Sequence, residues 1–325
     1  MSLPCVQRAG KPVDVAGGGF NAAAMELWIP ITVTAALAQT WRTAMQQKLR
    51  GLLSVNGAGF VRFVYGVPTG VLLLLAGVYL TGLPLPDANP RFLLWCLLGG
   101  LCQIVATNLL IMAFGFRGFA VGTAYAKTEA AQSSIIALIV LGEALHLVSW
   151  LGIALGLVGV MTLSLAGRGL KPGEFLAATV QPAAICGLSA GFIFAFTTIF
   201  IKLANQSLEG PSLVLRALFG LLVTNTMQTV MAGGYLLARE PQEFRKAMAS
   251  WRSSMWVGTL SACGSACWFT AFALAPVALV RSVGQVEMVF TLLFSRFYLK
   301  EPMKMTDVLG LVLIVGGVVL IVAGR

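Results

Sequence analysis

The chain runs as a series of long apolar stretches separated by short polar breaks. Ten such stretches lie at 27–47, 59–81, 92–114, 118–141, 148–167, 179–203, 211–237, 254–275, 276–299 and 306–323. Each is close to the ~20 residues that cross about 30 Å of hydrocarbon as a helix. They are too long and too uniformly apolar for barrel strands, which alternate. A helix also satisfies its backbone groups internally, as lipid demands. The pattern predicts an all-α polytopic membrane protein with ten transmembrane helices. Pro84, Pro86 and Pro90 punctuate one break, and the longest polar break, Arg239–Arg252, reads as a loop. Nothing remains for a soluble domain.

The pattern also repeats. A shift of 158 residues lays the fourth and fifth stretches on the ninth and tenth. Glu129 then meets Glu287 and Glu143 meets Glu301, while Gly152, Leu155 and Gly159 meet Gly310, Leu313 and Gly317. A shift of 154 sets Lys48, Arg62 and Gly66 on Lys202, Arg216 and Gly220. Leu and Gly coincide often in apolar sequence, whereas charged residues inside apolar runs do not. The chain therefore divides into a first five-helix half over 25–170 and a second over 171–325. With an odd number of helices per half, the second enters the membrane upside down, giving two inverted five-helix repeats. Residues 1–24 are Gly-rich without the apolar stretch of a signal peptide. They are expected to be a disordered tail, with Met25 a candidate start.

Composition narrows the function. Of 325 residues 58% are hydrophobic and 10% charged, against about 25% charged in soluble domains. The net charge of +10 lies mostly in short loops, where it fixes topology and meets lipid head groups. No basic run is interleaved with aromatics, so nucleic acid is not an expected partner. Five of the six cysteines (Cys96, Cys102, Cys186, Cys263 and Cys267, with Cys5 apart) lie in apolar stretches and no CxxC occurs. They read as small core residues. With His146 the single histidine, neither a metal centre nor a cofactor is expected, and no catalytic cluster marks an enzyme.

Ionisable residues inside the stretches include Arg42, Arg62, Lys127, Glu129, Arg216, Arg281 and Glu287. Each costs about 2.5–3.5 kcal/mol at the bilayer centre on insertion scales, so each should face protein or water. Glu129 and Glu287 both fall twelfth in spans of 24, near the midplane. Tyr125, Gln132 and Ser133 lie beside Glu129 at helical offsets. Gln285 shares a helix face with Arg281. A carboxylate there suits a bound cationic amine or a transported proton. It suits equally a buried pair with Arg62, Arg216, Lys127 or Arg281 that locks helices together. Lys127 lies about 200° around a continuous helix from Glu129, on a different wall. Gln103, Asn108 and Ser265 are further candidate hydrogen-bonders, Trp41 and Trp268 candidate stacking rings. Arg62 and Arg216 are placed to snorkel to head groups, and Glu143 and Glu301 to cap helix ends. The glycines of the fifth and tenth stretches allow close helix approach and offer a face for a homodimer.

With these residues in place, the sequence resembles the EamA branch of the drug/metabolite transporter superfamily over about 27–323. The resemblance rests on the duplicated layout and on a Glu-x13-Glu pattern closing the fourth helix of each half. It reads EAAQSSIIALIVLGE from Glu129 to Glu143 and EMVFTLLFSRFYLKE from Glu287 to Glu301. The Gly-rich helix after each, and the Arg early in the second helix of each half (VRFVYG and LRALFG), match as well. It implies a central cavity lined by the third, fourth, eighth and ninth helices, in a bacterial inner (plasma) membrane, with small metabolites as substrates.

The expected function is alternating-access transport, as an exporter, of a small polar metabolite such as an amino acid or amine, with proton coupling an option. Efflux of cationic drug-like compounds is the second reading. A structural or sensory membrane protein is the third. Loop charges put both termini outside the cytoplasm, whereas proteins of the resembled family have both inside.

Overall fold

A computed structural model describes residues 27–49, 51–113, 125–165, 181–297 and 305–324. The expected 1–24 tail and Glu301 lie outside these residues. Described elements are all helical: α1 (Trp28–Leu49), α2 (Val55–Val64), α3 (Gly66–Thr81), α4 (Pro90–Ala113), α5 (Glu129–Leu141) and α6 (Leu147–Leu165) come first. They are followed by α7 (Pro182–Ser207), α8 (Leu213–Arg239), α9 (Pro241–Ala249), α10 (Trp251–Leu274), α11 (Val277–Val283), α12 (Glu287–Phe297) and α13 (Met305–Ala323).

Six helical stretches are long and apolar enough to cross a membrane: Val55–Thr81 (α2 and α3 together), α4, α7, α8, α10 and α13. Four expected spans, 27–47, 118–141, 148–167 and 276–299, are not among these, and at 148–167 the stretch Leu147–Thr162 counts as a shorter apolar helix. α1 is 22 residues long but carries Gln39, Arg42 and Gln46, which lower its hydropathy. The 118–141 stretch is described only from Tyr125, and 276–299 is split by a turn.

Chain ends of helices follow local chemistry. Ser54 caps α2 by accepting from the Gly57 N–H at 3.2 Å. Gly82 closes α3 in the left-handed region at φ 64°, and Pro84 and Pro86 prevent the helix from resuming. The break from Arg239 to Arg252 is not the loop expected of it. It holds the nine-residue helix α9, whose polar residues hid an amphipathic turn pattern. α9 ties back to the start of α2: Glu243 Oε2 accepts from the Ser54 N–H at 2.7 Å, and Glu240 Oε1 accepts from Asn56 Nδ2 at 2.6 Å.

Packing inverts the soluble-protein rule. The interior is rich in Ala35, Ala36, Ala184, Ala190, Ala195, Ala262, Ala271 and Ala278, while Leu72, Tyr79, Leu80, Ile139 and Val230 face outward. Lipid is as apolar as leucine, so helices associate through close van der Waals contact between small residues. α6 packs along α13, α7 along α4, and α1 along α10. At the first of these, a Cβ on Gly152 would stand 2.7 Å from the Gly317 carbonyl oxygen. One on Gly159 would stand 2.9 Å from that of Gly310. This crossed register makes α6 and α13 antiparallel and engages the glycines within the chain.

Candidate functional site

Two expected spans are interrupted at matching positions. Before α5, Thr128 closes a turn on the Tyr125 carbonyl through its N–H at 3.2 Å and its Oγ1 at 2.6 Å. Between α11 and α12, Gly284–Val286 forms a single 3-10 turn. In the register of the repeat, Lys127 and Thr128 correspond to Gln285 and Val286. The expectation that Glu129 and Glu287 sit mid-helix is thus corrected: each is the first residue of a half-helix. There the helix dipole favours negative charge, although at the second break the Glu287 N–H is already taken up by the carbonyls of the 3-10 turn. The first break is accommodated by Gly191 of α7, where a Cβ would lie 2.9 Å from the Ala126 carbonyl oxygen. At the second, the hydrogen face of Gly284 receives the Trp268 ring.

Each carboxylate pairs with a cation from the other half of the chain. Lys127 Nζ lies 2.5 Å from Glu287 Oε2, and Arg281 Nη2 lies 2.8 Å from Glu129 Oε1. Glu287 Oε2 also accepts from Gln39 Nε2 at 2.7 Å, and Gln39 Oε1 accepts from Trp268 Nε1 at 3.1 Å. The Arg281–Glu129 approach lacks hydrogen-bond alignment, since Glu129 Oε1 has no hydrogen-bond partner. Arg281 is held instead by Thr198 Oγ1, which accepts from Nη2 at 2.6 Å, and by the rings of Trp268 and Phe272. Cation–π contact of this kind is strengthened by desolvation.

These groups border a cavity of about 90 Å³, together with Arg42, Thr43, Arg62, Gln103, Ser265 and the rings of Phe194 and Phe269. It is lined from near the middle of α1 and α7 and from the C-terminal halves of α4 and α10. The unwinding at Lys127–Thr128 brings Lys127 and Glu129 onto one cavity, where a continuous helix would keep them apart.

Of the residues expected at the site, Glu129, Glu287, Lys127, Arg281 and Gln103 line this cavity. Gln285 lines a smaller pocket beside it, and both polar atoms of its side chain are buried without a partner. Tyr125 is buried against Ala184 and Leu188. Gln132 donates from Nε2 to Thr128 Oγ1 at 2.7 Å, supporting the turn rather than facing the cavity. Asn108 borders a separate, mostly apolar cavity of about 380 Å³ and donates to Asn56 Oδ1 at 2.9 Å. Arg62 does not reach the head groups: it is 5% exposed and donates from Nε to Ser261 Oγ at 2.7 Å and from Nη1 to Thr107 Oγ1 at 3.1 Å. Glu143 spans the halves, receiving the Val277 N–H at 2.8 Å and lying 2.5 Å from Lys202 Nζ.

Sequence reasoning missed Gln39 and Thr43 on α1. The signal was there: Gln39, Arg42, Thr43 and Gln46 recur at offsets of three and four, a polar stripe in an apolar helix.

Residues 181–323 match the EamA-like transporter family, part of the drug/metabolite transporter superfamily. No curated protein matches the chain. A crystal structure of another protein is similar with a TM-score of 0.66 at 17% identity, covering 94% of this chain and 99% of that one. That likeness is one of fold alone.

Proposed function

We propose that this chain, whose residues 181–323 match the EamA-like transporter family, is a ten-span secondary transporter that moves a small polar solute by alternating access. The single observation that carries the reading is the charged cavity at two matched helix breaks, closed by ion pairs that cross between the halves. Broken helices at a repeat interface are the usual setting of transporter sites.

Two features support the inverted repeat. The crossed contacts Gly152–Gly317 and Gly159–Gly310 are those of equivalent helices related by an axis in the membrane plane. The pairing of α1 with α10 and of α7 with α4 is the same contact seen once from each half. The family match covers the second half, and the internal repeat extends its layout to the first. Small size weighs against efflux of drug-like compounds, whose sites occupy ~300–1,000 Å³.

Flux in proteoliposomes tests the reading, with and without a proton gradient and with solute loaded on either side. Glu129→Gln and Glu287→Gln, expressed at normal levels, should lose most flux. Unchanged flux in both would reduce these carboxylates to scaffolding. The same measurement reads export against import, and proton coupling.

A further inference from the structure

The cavity is not balanced in charge. Four cations, Arg42, Arg62, Lys127 and Arg281, border it against two carboxylates, Glu129 and Glu287. The carboxylates are engaged by Lys127 and Arg281. Arg42 and Arg62 meet no carboxylate among the described residues.

Both guanidiniums are deeply buried, Arg42 8% exposed and Arg62 5%. Arg42 Nε is buried without a hydrogen-bond partner, and its Nη2 has only a long 3.5 Å approach to Thr43 Oγ1. Arg62 uses Nε and Nη1 on two hydroxyls, and its Nη2 has no partner among the described residues. Arg42 of α1 and Arg62 of α2 border the same cavity. Two like charges held together in a low-dielectric interior are costly unless an anion joins them. A guanidinium offers a planar fork of donors that fits carboxylate and phosphate oxygens.

We propose that the transported solute is a small organic anion, bearing a carboxylate or phosphate group that binds between Arg42 and Arg62. The assignment rests on the transport reading of the same cavity and adds the solute's charge. The anionic group takes the free donors of the two arginines and cancels the excess positive charge. The body of the solute lies towards Phe194, Phe269 and the Trp268 edge. Both carboxylates already face a cation, so an amine would have to compete with Lys127 or Arg281 for them. At about 90 Å³ the cavity suits a solute of a few carbons.

Counterflow in proteoliposomes with labelled succinate, glutamate and glycerol 3-phosphate, against putrescine and alanine, tests this. Flux of the anions should exceed that of the amine and the neutral amino acid at least tenfold. The first two probes against the third separate carboxylate from phosphate. Arg42→Gln and Arg62→Gln should each cut anion flux tenfold or more, and Arg42→Lys should retain part of it. Flux of putrescine or alanine without anion flux overturns the anion assignment and leaves transport standing. Flux of none of the five overturns the transport reading itself. Undiminished anion flux in folded Arg42→Gln and Arg62→Gln overturns the assignment of these residues. Should a variant fail to accumulate, melting of the wild-type protein titrated with each probe decides. A rise with anions alone supports the site, and a rise with putrescine alone overturns it.

Discussion

Lys127 and Glu287 form an ion pair of 2.5 Å, although 160 residues separate them in the chain. Each sits at a break in its own helix, and together they fasten one half of the protein to the other. The second crossed pair, Arg281–Glu129, does the same from the opposite direction. Under the proposed alternating-access transport, any movement of one half against the other would strain or exchange these pairs.

Lys127→Gln leaves Glu287 with Gln39 as its remaining close donor. Glu287→Gln leaves Lys127 uncompensated. Each single change should lower the melting temperature in detergent, and the double change should cost less than their sum, with a coupling of about 1–3 kcal/mol. Strict additivity across this double-mutant cycle would show that the pair contributes no coupling.

The crossed glycine contacts give the architecture its own test. A cysteine at the close-packed glycines themselves would meet backbone, so the test uses their neighbours. A Cβ at 316 meets only the Leu155 side chain, at 3.4 Å. In a background without native cysteines, Leu155→Cys with Gly316→Cys should therefore cross-link on mild oxidation. Val148→Cys with Thr306→Cys should not, because an antiparallel register sets those positions apart. Efficient cross-linking of that last combination would mean parallel helices.

Glu143 does two things at once, receiving the Val277 N–H at the start of α11 and pairing with Lys202. Lys202 Nζ in turn donates to the Ala275 carbonyl at 2.9 Å. Glu143→Gln keeps the N–H acceptor and loses the charge, whereas Glu143→Ala loses both. The Ala variant should be the less stable, by about 0.5–2 kcal/mol for the lost cap alone. Equal melting temperatures for the two would assign the whole effect to the Lys202 pair.

On the membrane surface, hydrogen bonds from the Lys246 ammonium and the Ser54 N–H hold the Glu243 carboxyl below its usual range. A depressed pKa contributes stability above the unfolded value of 4.5, lost as pH falls through the folded value. Glu243→Gln should therefore melt below the wild type at pH 7, with the gap closing in acid. Its partner Lys246 is exposed, so solvent screening should keep the gap small. A gap that widens on acidification contradicts the docking of α9 on α2.

Much of this protein was legible as sequence. Hydrophobic run length picked out the six described helical stretches that are long and apolar enough to cross a membrane, because lipid imposes one span length and one way of satisfying the backbone. The coincidence of Glu129 with Glu287 under a shift of 158 picked out two carboxylates that the fold brings to one cavity, because an ion inside a membrane is costly enough to need a partner or water.

Tertiary structure decided the rest. Nothing local announces that the helix is interrupted by a turn at Lys127–Thr128 or tightens into a 3-10 turn at Gly284–Val286. Those breaks depend on Gly191 and Trp268 of other helices coming close. Which cation meets which carboxylate was equally undetermined, since Arg62, Arg216, Lys127 and Arg281 all fitted the pattern. Packing gave Lys127 and Arg281 to the carboxylates. It left Arg42 and Arg62 bordering the same cavity without a counter-charge among the described residues. The sequence by itself determined that charge lies within the membrane; the fold determined which of that charge is paired and which stands without a counter-charge among the described residues, because electrostatic pairing depends on distances between helices that only packing sets.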